Sequence, residues 1–96
     1  MASISHGTVT MTGSAVRVVA ANRPIRAVLF TGDDGNSNAV FIGGSGVTQD
    51  SYGVILTAAN DEAWIRFEGE RPGDLADFYA DGTSSEKLHY LAIEAL

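Results

Sequence analysis

Short runs of Val, Ile, Thr, Phe and Tyr recur along this chain at intervals of about ten residues, each closed by Gly or by Asp and Asn. That punctuation belongs to antiparallel strands joined by turns, and it sets the fold class before any other feature is considered: an all-β antiparallel sandwich, jelly-roll-like, or a small barrel of seven to eight strands. Strands are expected near Gly7 to Thr12, Ala15 to Ala20, Ile25 to Thr31, Ala39 to Ile42, Tyr52 to Thr57, Ala63 to Glu68, Ala76 to Ala80 and Lys87 to Ala95.

The alternation is clearest in "EAWIRFEGE", where Ala63, Ile65 and Phe67 point one way and Glu62, Trp64, Arg66 and Glu68 the other. In "RAVLFTG" and "AVFI" both faces are apolar, which predicts central strands covered on both sides, by a second sheet and by another body such as a further copy. The end of the chain, "GDLADFYADGTSSEKLHYLAIEAL", reads as two strands joined across Asp81 to Glu86, with Gly82 supplying a positive φ at a tight connection. A helix competes for its last twelve residues, since Ser85 could cap it and Leu88, Leu91 and Ala92 have helical spacing, but Tyr90 and Ile93 favour strand.

Ninety-six residues suit a single domain, 1–96, with a flexible arm expected over residues 1–6. Six basic against twelve acidic residues give a formal charge of -6, which sets the counterion-release term against nucleic acid as a partner. The absence of cysteine removes disulfides, thiolate metal sites and cysteine nucleophiles, and so leaves the fold independent of redox compartment. No basic segment precedes an apolar run at the start and no apolar run reaches membrane length, so the expectation is a soluble, unprocessed chain without a membrane partner.

No motif for chemistry is complete. "VFIGGSGVTQDSYGVIL" has neither the lysine nor the following helix of a phosphate loop, and Val47 stands where a nucleophile elbow around Ser45 would need glycine. Gly43, Gly44 and Gly46 are therefore read as a bend between strands, with Gly53 resuming the next. His6 and His89 have no visible nucleophile beside them. Asp34, Asn36 and Asn38 alternate like oxygen ligands of a calcium loop, but the chain continues into "AVF" and not toward a bidentate glutamate, so a hairpin on Asp34-Gly35 is expected. The pairs Asp61 with Glu62 and Glu68 with Glu70 read as solvated strand ends. Neither catalysis nor a cofactor or metal is expected. Trp64 beside Arg66 on a polar face has the composition of an association hot spot, or else covers a loop or lies in a second core layer, and Phe41, Val28 and Phe30 are the apolar positions expected to join Trp64 and Arg66 in an interface. A carbohydrate-recognition module stacking sugars on Trp64, Tyr52 or Tyr79 is the alternative.

"GTVTMTGSAV", "RPIRAVLFTG", "NAVFIGGSGVTQDSYGVIL" and "AWIRFEG", in that order, resemble small virion proteins of tailed phages of the capsid decoration (cement) or head-fibre-base type. The resemblance spans most of the chain and is most specific at "VFIGGSGVT". It implies a non-enzymatic β-sandwich, often a homotrimer, bound to the major capsid protein on the virion surface after synthesis in the host cytoplasm, or else a tail-associated module.

Overall fold

A computed structural model of the protein describes residues 3–57 and 59–95. Its strands are β1 (Ile4–Thr10), β2 (Val16–Arg17), β3 (Pro24–Gly32), β4 (Val40–Gly43), β5 (Val54–Leu56), β6 (Glu62–Arg66), β7 (Gly73–Asp74), β8 (Tyr79–Gly82) and β9 (Lys87–Glu94), with one 3-10 turn at Leu75–Asp77. The larger sheet, sheet A, runs β1-β9-β3-β6 with β7 also on β3, and sheet B runs β2-β8-β4-β5. All the pairings are antiparallel. The chain passes back and forth between two sheets in the order of a jelly roll, which selects the sandwich over the single closed barrel.

Alternation builds the core. Val28 and Phe30 of β3, Leu88, Tyr90 and Ala92 of β9, and Val40 and Ile42 of β4 turn inward and are buried, joined by Met11, Val18, Ile25, Leu56, Leu75 and Ala80. Burying each large side chain among them contributes on the order of 1.5–3 kcal/mol. Tyr90 lies across the β1 strand at its partner Gly7, where a Cβ would stand 2.6 Å from the phenol oxygen. Its hydroxyl accepts from Arg23 Nη1 at 3.3 Å, so this edge of the core is polar at the tip and apolar along the ring. Asp74 holds the main chain of the same arginine: its Oδ1 accepts from the Arg23 N–H at 2.8 Å and the Ala76 N–H at 2.9 Å, fixing the first turn of the 3-10 segment. Those two donors, Arg23 first, hold its carboxyl below the ordinary value.

Several expectations change. Val28 and Phe30 are fully buried between the sheets and take no part in any outer interface; the outward residues of β3 are Ala27, Leu29 and Thr31. The flexible arm expected over 1–6 is strand from Ile4 on, since Ile4, Ser5 and His6 pair with Ile93, Ala92 and Leu91; Met1 and Ala2 lie outside the described residues. Asp34-Gly35 makes no hairpin. A turn does form there, with the Gly35 N–H on Asp33 Oδ2 and the Asn36 N–H on Asp33 O, but β3 and β4 lie in different sheets and the loop crosses between them. Likewise β8 and β9 lie in different sheets, and the positive φ of their connection falls on Ser85, at 78°, not on Gly82. Residues 87–94 are strand, as the β-formers Tyr90 and Ile93 require. Residues Ala76 and Asp77 belong to the 3-10 turn, so the strand expected from Ala76 starts only at Tyr79.

The glycine-rich stretch connects the paired strands β4 and β5. Its tip is pinched where Thr48 and Ser51 exchange main-chain hydrogen bonds of 2.8 and 3.1 Å, and the Gly53 N–H returns the chain to Ile42 O at 2.9 Å. It is a bend, as expected. Val47 folds inward beneath it and is buried, in contact range of any Cβ on Gly43.

Candidate functional site

The register of sheet A places its outward side chains in cross-strand rows. His6, Leu91, Leu29 and Trp64 form one row, Ile4, Ile93, Ala27 and Arg66 the next, and Thr8, His89, Thr31 and Glu62 the third. The first two rows make an apolar surface bordered by charge. Four large apolar side chains are exposed among the described residues, and three of them, Ile4 at 70%, Trp64 at 46% and Leu91 at 37%, stand on this face. Concentration on one flat face, and not scatter, is what marks an association surface.

Of the residues expected at an interface, Trp64 and Arg66 therefore lie together on the outer face of sheet A. Phe41 is on the far side of the molecule, outward on β4, where its ring meets Tyr52 with centroids 5.1 Å apart. It forms one wall of an open groove of about 650 Å³ with Asn38, Gln49, Asp50 and Asp81. Tyr79 points outward on the same sheet beside Arg17, so the three aromatics considered for sugar stacking do not share a platform. Ile4 and Leu91 were missed by the sequence reading. The signal for Leu91 was its odd-numbered place in "KLHYLAIE", once that run is taken as a strand whose even positions are core.

At the edge of the face, Thr8, His89 and Asp33 form a chain of hydrogen bonds. His89 Nδ1 is 2.8 Å from Thr8 Oγ1, and His89 Nε2 is 2.6 Å from Asp33 Oδ1. Hydroxyl, imidazole and carboxylate stand in the order of an acyl-transfer triad. The hydroxyl, however, is exposed on a flat strand, where water screens any developing charge and the donors of an oxyanion hole would gain little. The trio acts as a clamp from β1 through β9 to the β3–β4 loop. His89, first, and then the Gly35 N–H hold the Asp33 carboxyl below its ordinary value of 3.8.

The same loop is tied again by Glu86, whose Oε1 accepts from the Ser37 N–H at 2.9 Å, the Asn38 N–H at 2.8 Å and Asn38 Nδ2 at 3.2 Å. Asn36 spends both amide atoms on the main chain of Lys87. Of the alternating oxygen residues of this loop, Asn36 and Asn38 thus fasten it to the start of β9 and to Glu86 just before it. Among the described residues, no group of three His, Asp or Glu side chains is placed to hold a metal ion.

These features define a jelly-roll sandwich with one open apolar sheet face. No family model matches the chain, and no curated protein matches it. Among solved structures it is similar to a protein of the Bacillus endospore appendages, described as "a novel family of disulfide-linked pili", with a TM-score of 0.50 and 17% identity over 100% of this chain and 92% of that one. At that identity the likeness is one of fold.

Proposed function

We propose that this chain is a non-enzymatic structural subunit that docks onto a larger protein surface through the outer face of sheet A. The observation that carries the proposal is the gathering of Ile4, Leu91 and Trp64 on that face. Two settings support a structural role from different directions. The resemblance to phage decoration proteins points to a capsid surface, with the major capsid protein as partner and further copies of this chain alongside. The fold likeness points to a protein of pili, although the 96 residues contain no cysteine and so supply no disulfide link of their own. We place the capsid setting first because an acidic body of charge -6 suits a basic outer shell surface.

Co-sedimentation with expanded empty shells of tailed phages tests the proposal. The expected result is saturable binding that raises the melting temperature of the shell, lost in Trp64→Ala and in Leu91→Lys. Both variants should keep their own stability within about 0.5 kcal/mol, because neither side chain is in the core. Shells that stay bare with the wild-type chain would remove the capsid setting.

A second reading rests on the groove beside Phe41. Phe41 lines the groove with amide and carboxylate side chains, and the exposed Tyr52 packs against it from outside that lining with the rings tilted at 48°, which together have the composition of a sugar subsite. Glycan arrays probed with wild type and Tyr52→Ala distinguish it: a blank wild-type array excludes it.

A further inference from the structure

Sheet B ends in strands of two and three residues, β2 and β5, too short to template a neighbour. Sheet A ends in β1, of seven residues, and β6, of five. The β3–β6 ladder is bracketed by bonds from the Phe67 N–H to Arg26 O at 2.8 Å and from the Gly32 N–H to Asp61 O at 2.9 Å. In an antiparallel pair such bonds recur at every second residue. With Val28 opposite Ile65 and Phe30 opposite Ala63, the odd-numbered residues of β6 face β3. Glu62, Trp64 and Arg66 therefore turn their main-chain groups to the open edge.

We infer that β6 is a self-pairing edge: two copies join β6 to β6, antiparallel, about a two-fold axis through Trp64, so that their larger sheets become one. Parity and charge select this register together. Parity excludes an axis between two residues, because it would oppose an outward group to one already used by β3, and an axis through Ala63 or Ile65 would set Glu62 or Arg66 opposite Trp64 and leave the charge without its partner. An axis through Glu62 would set Glu62 against itself, and one through Arg66 would set Arg66 against itself. The axis through Trp64 sets Glu62 opposite Arg66 of the second copy at both ends, an opposite-charge pair of the kind that stabilises a sheet, with Ala63 against Ile65 on the inner face.

The sequence "EAWIR" has this two-fold character in its chemistry: acid and base at the ends, aliphatics next, one aromatic at the centre. The pairing forms four main-chain hydrogen bonds, Trp64 to Trp64 in both directions and Arg66 N–H to Glu62 C=O in both directions. The Glu62 N–H keeps its present acceptor, Asp61 Oδ1, at 3.0 Å. The contact is isologous and closes at two copies. It uses the edge of sheet A and leaves most of the outer face open, so it does not rest on the docking reading.

Sedimentation equilibrium of the full chain from micromolar to millimolar concentration tests the inference. Twice the chain mass is expected, and Glu62→Arg or Arg66→Glu alone should weaken the dimer about tenfold or more by opposing like charges. The double variant, Glu62→Arg with Arg66→Glu, should restore it, while thermal melts by circular dichroism show that all three fold. Trp64 is the single tryptophan, so its fluorescence should change with dimerisation. A monomer throughout, a trimer, open-ended polymers through the β1 edge, or single variants that dimerise like wild type would each overturn the inference. A double variant that stays monomeric would overturn the register. Shell binding by the monomeric Glu62→Arg chain reports on the docking proposal separately.

Discussion

Phe67 occupies the place where a Cβ on Gly73 would stand, and its ring packs against Phe78 at 6.2 Å, which in turn packs on Phe30 at 5.4 Å. A methyl group on Gly73 would therefore push on a chain of three aromatic rings that ends in the centre of the core. Gly73→Ala should destabilise the protein by about 1–3 kcal/mol, read as a lower urea midpoint at unchanged slope. Gly44→Ala is the control, with nothing within 4 Å of the added carbon, and should move the midpoint by less than about 0.5 kcal/mol. Nothing in the sequence distinguishes these two glycines, because the difference lies in where Phe67 returns across β7. Val28 and Phe30 are a similar case. Both faces of β3 are apolar, so alternation shows that two sets of side chains exist but not which set meets the other sheet. Trp64 could be placed from alternation because its neighbours Glu62 and Arg66 are charged, and a charged set does not face a core.

At the scale of elements, strand existence was legible and strand partnership was not. Runs of β-formers bounded by Gly, Asn and Asp mark where strands stop, and the local turn at Asp33 to Asn36 forms as its Asp-Gly chemistry dictates. Whether such a turn returns the chain to the same sheet depends on side chains far away in sequence. Here Glu86 and the Lys87 main chain capture Ser37, Asn38 and Asn36, while His89 captures Asp33, and the chain is led across to sheet B. The Asp33–His89 bond gives this crossing a pH dependence whose sign follows from the depressed carboxyl pKa. A group more acidic in the folded than in the unfolded chain contributes stability above the unfolded value of 3.8, and that contribution is lost as pH falls through the lower folded value. Melting temperatures followed from pH 6 downward should fall in that acid range, and Asp33→Asn should fall less steeply there than wild type, starting from a lower value at pH 6. Parallel curves for the two proteins would show that the clamp contributes nothing to the acid response.

For the molecule as a whole, charge separates the two associations argued from its surface. Each copy carries -6, so joining two copies brings like bodies together, with only the local Glu62–Arg66 pairs opposing the repulsion. Docking onto a basic shell brings unlike bodies together. Salt screens both over a length of about 10 Å at 0.1 M, but with opposite consequences. Raising salt from about 0.01 to 0.15 M should tighten the β6–β6 dimer, because net repulsion acts over the whole body and outweighs two exposed edge pairs, each contributing of order 0.2–1 kcal/mol. Over the same range, binding to shells should weaken. Dimer mass by sedimentation and shell binding by co-sedimentation, measured in the same buffers, check both signs. A dimer that loosened with salt as shell binding does would mean that the edge ion pairs dominate the contact. Shell binding that strengthened with salt would shift the weight of docking from charge to the apolar face of Ile4, Leu91 and Trp64.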